Sequence, residues 1–265
     1  MTTQADQQNP GLKLTIEEYE KLQPITALEY AGVRMKFSTP SSFTVWRARS
    51  IRQKEPWTLE WIDTFEPDEV MIDVGANVGM YTIWAAAVRG ARVFAFEPEA
   101  QNYALLNRNI ILNKLSGRAT AFCLGLGDSA GLTVLHMADM RVGGSCHSVG
   151  EALDYKHEPL KTLFQQGCYV AKLDELVAEG TIPQPAHIKL DVDGFEPKVI
   201  AGARRTIENP ALKSVLIETN QNLADHMAMV GELKDLGFQV DPAQVARAER
   251  KEGPFKGVAE YVFRR

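Results

Sequence analysis

Val70-Met71-Ile72-Asp73-Val74-Gly75-Ala76-Asn77-Val78-Gly79 is the stretch that decides the fold of this chain. Its first five residues are apolar except for Asp73, the run stops at a glycine, and a helical stretch from Met80 to Val88 follows at once. A short apolar run bounded by a turn signal reads as a buried strand, and the glycine turn that feeds a helix makes it a strand-to-helix junction. Glycines at 75 and 79 let the backbone turn tightly and approach a ligand closely. The helix N-terminus then directs N–H groups at that ligand.

Outward from this junction the same alternation continues. Residues 91–96, 120–124, 187–191 and 214–217 read as strands, with helical stretches at 102–112, before Val199-Ile200, and at 223–236. Phe238-Gln239-Val240 and the terminal run 259–265 suit a hairpin. The expectation is an α/β fold: a mostly parallel seven-stranded sheet, helices on both faces, and a C-terminal antiparallel hairpin strand. Upstream, residues 1–66 read as an N-terminal lead and cap, and 67–265 as the main domain. Within the cap, 1–12 is a polar, disordered lead. Thr15 and Glu18 form a capping box, Val33, Met35 and Phe37 alternate as in a strand, and Pro56 opens a helix carrying Trp57, Leu59, Trp61, Ile62 and Phe65. Residues 125–171 are less regular, with an extra strand near 132–136 and a flexible Gly143-Gly144-Ser145 loop, where substrate recognition is expected.

The 265 residues carry a net charge of -5, with 45% hydrophobic and 24% charged residues, as in an ordinary soluble domain. That balance disfavours nucleic acid as a partner. Three cysteines without C-x-x-C spacing, no signal-like N-terminus and no long apolar run lead to the expectation of a cytoplasmic protein with no membrane partner. A homo-oligomer is compatible with the sequence.

Glu97 closes the second strand, where an acid accepts hydrogen bonds from the ribose hydroxyls of an adenosine-containing cofactor. Two cofactor classes fit, and charge separates them. Asp73, beside the turn, repels a pyrophosphate but favours the cationic end of S-adenosylmethionine. Asn77 replaces the middle glycine of the dinucleotide fingerprint. Asp128, past the third strand, is a candidate acceptor for the adenine amine, with a plain Gly-Asp turn as the other reading. A nicotinamide-dependent oxidoreductase and a non-catalytic cofactor-binding protein are the competing functions.

Several motifs in order resemble the FkbM-type methyltransferases: Asp73-Val-Gly-Ala-Asn-Val-Gly-Met-Tyr81-Thr82, Phe96-Glu97-Pro98-Glu99 with Asn102, Leu105, Asn109 and Asn113, Leu173-Asp174-Glu175-Leu176, Ile188 to Glu196, and Val199 to Ala203. Asp193 stands where that family usually has Glu. The resemblance implies a Rossmann-like class I methyltransferase fold, S-adenosylmethionine as donor, and O-methylation of a hydroxyl on a small molecule such as a sugar or polyketide. Motif position adds Tyr81, Pro98 and Asn102 to the cofactor residues Asp73, Gly75, Asn77, Gly79, Glu97 and Asp128, with core packing the other reading of Tyr81. Glu55 and Thr58 are candidates to reach the methionine moiety from the cap, against ordinary helix capping.

For catalysis, Asp191 stands at the carboxyl end of a strand, where open α/β sheets place ligands. With Glu218 and Asn220 it forms a candidate set for a hard cation such as Mg2+, capping and water binding being the other reading. His147, in the glycine-bearing loop, is the alternative base. Lys189 shares a strand face with Asp191, either to position the acceptor and steady Asp191 or as a buried ion pair.

Overall fold

The computed structural model describes residues 14–265; the lead expected over residues 1–12 lies outside them. The central sheet has seven strands in the order Gln239–Val240, Val258–Arg264, Ser214–Asn220, His187–Leu190, Val70–Val74, Arg92–Phe96, Ala119–Phe122. The last five of these run parallel. Val258–Arg264 returns between Gln239–Val240 and Ser214–Asn220 and is antiparallel to both. The sheet is therefore mixed, which corrects the mostly parallel sheet expected. The reversal follows from the chain re-entering the sheet after helix Pro242–Ala248 rather than crossing over it.

Alternation along the strands sends side chains to two cores. Met71, Val93, Ala95, Leu216 and Val262 pack with helices Met80–Val88 and Ala100–Leu112 and with the residues before 66. Ile72, Val74, Ile188, Leu190, Val215 and Ile217 pack with helices Glu196–Ala201 and Ala224–Asp235 on the other face. No helix among the described residues is long and apolar enough to cross a membrane.

The residues before 66 lie over the first face. They contribute the hairpin Ile25–Tyr30 and Val33–Ser38 and the helices Ser42–Lys54 and Pro56–Ile62. Met35 and Phe37 are buried as their alternation demands. Two asparagines of helix Ala100–Leu112 and its C-cap fasten the hairpin: Asn109 Oδ1 accepts from Ser38 N–H (2.7 Å), and Asn113 Oδ1 from Lys36 N–H (2.8 Å). Trp61 Nε1 donates to Ser214 Oγ (2.8 Å), pinning the second helix to the sheet.

A second sheet of four strands, ordered Gly125–Leu126, Phe164–Ala171, Gly131–Met137, Ser148–Val149, fills the irregular region. The expected extra strand is Gly131–Met137, and its long partner Phe164–Ala171 was not foreseen. Between them, residues 139–147 cross back over the carboxyl edge of the main sheet, facing helix Ser42–Lys54.

Candidate active site

The glycine turn brings two strand ends into contact. Gly75 has φ +75°, and a Cβ there would lie 1.8 Å from the Asp191 carbonyl oxygen, so no other residue allows the approach. Asn77 adopts a left-handed conformation (φ 50°) and aims its N–H at Glu97 Oε2 (2.7 Å). Glu97 Oε1 accepts from the Glu99 N–H (2.9 Å). Burial raises the Glu97 carboxyl to about 7, against the pull of these two N–H groups. Each oxygen keeps a free lone pair for further donors.

This carboxylate faces a cavity of about 400 Å³. Gly75, Asn77, Pro98 and Asn102 line it with Glu97, as do Leu124 and Leu126 from the third strand's exit. The opposite wall is aromatic: Phe43 and Trp46 from helix Ser42–Lys54, Phe195, and Phe255. A small annex of about 40 Å³ opens between Arg47, Lys54, the Gly75-Ala76-Asn77 turn, Tyr81, Lys189 and Asp191. Asp191 is the one carboxylate that lines both chambers.

The floor is ionic. Register places Lys189 beside Asp73, and the Lys189 Nζ donates to Asp191 Oδ2 (3.1 Å). Burial works against the Lys189 charge, but Asp191, Asp73 and Glu55 prevail and push its pKa above the ordinary lysine value. Asp73 is fully buried. Its Oδ2 accepts from Thr82 Oγ1 (2.5 Å), its Oδ1 has no partner, and burial raises its pKa despite Lys189. Tyr81 Oη donates to Glu55 Oε2 (2.5 Å), and Lys54 donates to Glu55 Oε1. Burial would raise Glu55, yet Lys54 and Lys189 hold its carboxyl below the usual range. Further along, Arg250 bridges Glu218 (2.7 Å) and Glu260 (2.9 Å).

The structure thus brings Gly75, Asn77, Glu97, Pro98, Asn102, His147 and Asp191 to the main cavity, and Tyr81 and Lys189 to the annex. Asp73 lies beneath the floor. Gly79 (φ +83°) caps helix Met80–Val88 against Leu106, away from the cavity. Glu55 and Thr58 do not line either chamber; Glu55 is spent on Lys54 and Tyr81, and the buried Thr58 Oγ1 has no partner. Asp128 is exposed, accepts from Ser129 Oγ, and lies just past the lining residues Gly125 and Leu126.

The expected cation set is also corrected. Asp191 and Glu218 come together with Asp193, their oxygens within 4.8 Å of one another. Asn220 turns away: its Nδ2 donates to the Tyr155 carbonyl and its Oδ1 accepts from Asn222. Lys189 already matches Asp191, and Arg250 matches Glu218. His147 Nδ1 accepts from the Ala138 N–H (3.4 Å), so the neutral ring carries its proton on Nε2. Burial lowers its pKa, which favours that neutral form.

Sequence reading missed Arg47, Lys54, Phe43 and Trp46 on the cap side, and Arg250 and Phe255 near the C-terminus. Asp193 and Phe195 were visible inside the quoted motif. The left-handed φ of Asp193 (55°), followed by Gly194 (φ 108°), turns that carboxylate toward the Cys146 N–H (2.8 Å) at the cavity.

A family model described as the methyltransferase FkbM domain matches residues 73–240. The chain belongs to the FkbM methyltransferase family. The chain is 26% identical over 206 residues to the hexuronic acid methyltransferase AglP of Haloferax volcanii, covering 78% of this chain and 80% of that protein. It is 27% identical over 198 residues to the 31-O-demethyl-FK506 methyltransferase FkbM of Streptomyces tacrolimicus, covering 66% and 74%. Among solved structures, a precorrin-6y C5,15-methyltransferase from Geobacter metallireducens superposes with a TM-score of 0.41 at 18% identity, covering 79% of this chain and 84% of that one. The class of activity that the family model names for this chain is methyl transfer.

Proposed function

We propose that this FkbM methyltransferase transfers a methyl group from S-adenosylmethionine to a hydroxyl of a small molecule. The observation that carries the reading is the position of Asp191, the one carboxylate shared by an acid-lined main cavity and its annex. The residues suit the donor. Glu97 offers free lone pairs to a vicinal diol, Leu124, Leu126 and Phe96 offer an apolar surface to a purine, and the unpartnered Asp73 Oδ1 leaves an uncompensated acceptor beneath the turn. Glu97, Asp191, Asp193 and Glu218 give the main cavity more acids than the bases Arg47, Lys54 and Arg250 offset, as a cationic centre requires. When bound, S-adenosylmethionine supplies an already activated methyl electrophile.

The protein's share is alignment and proton removal. Lys189 fixes the direction of the Asp191 carboxyl, and Asp191 takes the acceptor hydroxyl's proton. The aromatic residues Phe43, Trp46, Phe195 and Phe255 receive the body of the acceptor, and the relatives' names give hexuronic acid and 31-O-demethyl-FK506 as theirs. No metal is needed in this scheme, because protein cations match Asp191 and Glu218. The partner in this scheme is a free small molecule rather than nucleic acid, and a homo-oligomer is compatible with it.

Calorimetric titration with S-adenosylmethionine, S-adenosylhomocysteine and NAD tests the donor. Both adenosyl ligands are expected to bind and NAD is not. Glu97→Ala is expected to weaken both by roughly ten- to a hundredfold, the loss of hydrogen bonds to a charged acceptor. Mass spectrometry of hydroxylated acceptors incubated with enzyme and donor then tests the acceptor class. NAD binding, or methylation confined to nitrogen or carbon, would overturn the proposal.

A further inference from the structure

The two chambers differ in charge. The main cavity sets four carboxylates, Glu97, Asp191, Asp193 and Glu218, against Arg47, Lys54 and Arg250, while the annex shares Arg47 and Lys54, adds Lys189, and has Asp191 as its carboxylate. With about 40 Å³ the annex admits only a group of a few heavy atoms. Among its cations, Lys54 is matched by Glu55 and Lys189 by Asp191. Arg47 makes no ion pair among the described residues. Its Nε donates to the Gly143 carbonyl (2.6 Å), and its guanidinium carbon lies 5.0 Å from the centre of the Phe43 ring. Those two contacts fix the plane of the guanidinium and leave its Nη donors uncommitted. A half-buried, oriented and unpaired guanidinium beside a small basic chamber is a receptor for a carboxylate.

We infer that Arg47 binds the carboxylate at the methionine end of the donor, an assignment that rests on the donor reading proposed above. The annex side of the site is built by the Gly75-Ala76-Asn77 turn, whose own N–H groups are spent on the Phe96 carbonyl and on Glu97, so the side-chain cation is what remains for an anion. The donor's carboxylate is thereby answered by Arg47, while Asp191 stays with Lys189 and the acceptor. This places the methionine contact on helix Ser42–Lys54, one element earlier than Glu55 and Thr58, the residues that the sequence suggested.

The test compares S-adenosylmethionine with decarboxylated S-adenosylmethionine, which differs only in lacking the carboxylate, by calorimetric titration of the full chain. The ratio of the two affinities is expected to fall roughly ten- to a hundredfold in Arg47→Gln, the scale of a charge-assisted bidentate contact. Arg47→Lys is expected to keep part of the ratio. An unchanged ratio in Arg47→Gln overturns the inference, as does equal weakening of both ligands, which would mark a merely structural residue. A ratio that collapses in Lys54→Gln but survives in Arg47→Gln also overturns it and moves the role to Lys54. Failure of the wild-type protein to bind either ligand would instead sink the donor reading itself.

Discussion

Lys189 sets the charge balance of the site. It is 1% exposed and touches Asp191, with Asp73 beside it in the adjacent strand and Glu55 above. Removing it leaves these carboxylates buried without their shared cation, and breaking a buried pair in this way is strongly destabilising. Lys189→Met, close in volume, is expected to lower unfolding free energy by about 3–5 kcal/mol in urea titrations. The double variant Lys189→Met/Asp73→Asn should recover part of that loss, since it removes one stranded charge. A loss under about 1 kcal/mol would mean that the floor is held by packing alone. At this scale the sequence was legible where function and local geometry coincide. Gly75, Asn77 and Glu97 announce themselves because a left-handed turn and a strand-ending acid have few other uses. Arg47, Lys54, Arg250 and Phe255 were silent, since each is an ordinary surface type until tertiary packing carries it to the cavity.

Helix Ser42–Lys54 and the segment 139–147 meet as elements, and asparagines join them to the donor side. Asn102 Oδ1 accepts from the Gly143 N–H (2.8 Å), and its Nδ2 donates to the Gly144 carbonyl (3.1 Å), which also accepts from Asn77 Nδ2 (2.6 Å). Gly143 has φ +87°, and a Cβ there would meet Thr44 at 2.8 Å, so the segment lies flush on the helix. Asn77 and Asn102, expected to touch the cofactor, therefore also hold the segment that covers the cavity. Asn102→Ala should free residues 139–147 without disturbing the sheets. Trypsin cleavage after the exposed Arg141 is expected to accelerate severalfold. Unaltered cleavage would show that Ser41 and Arg47 fix the segment unaided. Most of the βα elements could be read because their apolar runs end in glycine or acid. Helix Ser42–Lys54 could not: its capping box pairs Ser41 with Thr44 rather than a glutamate, and Phe43 and Trp46 lie outside its buried positions Thr44, Ala48 and Ile51. Strand Phe164–Ala171 was hidden by Gln165-Gln166-Gly167, which interrupts any alternation.

For the whole molecule, the buried titratable groups make stability depend on pH with a sign that can be worked out. Burial raises Glu97 to about 7 and Glu196 to about 8, and it lifts Glu218 and Glu260 as well. Folding therefore retains protons that the unfolded chain has released. The stability these acids contribute is complete below the unfolded carboxyl pKa and is lost as pH rises through the folded value. Histidines 147, 187 and 226 are depressed by burial; they cost stability as pH falls through their unfolded value near 6.5, and their opposing slope fades above it. Between pH 6.5 and 8.5 the acids outweigh them, and the buried thiols, also raised, act in the same direction as the acids, so unfolding free energy is expected to decline with rising pH. Glu196 is the sharpest probe, because it is fully buried, lines neither chamber, and accepts from the Val192 and Gly194 N–H groups that shape the Asp193 turn. Glu196→Gln keeps an acceptor for those N–H groups and carries no charge, so it should flatten the decline. Urea titrations at pH 6.5, 7.5 and 8.5 on both proteins decide the matter. A wild-type stability that rises over that range, or a variant with an undiminished slope, would show that Glu196 is ionised in the fold and that His226 beside it (3.4 Å) carries the compensating charge.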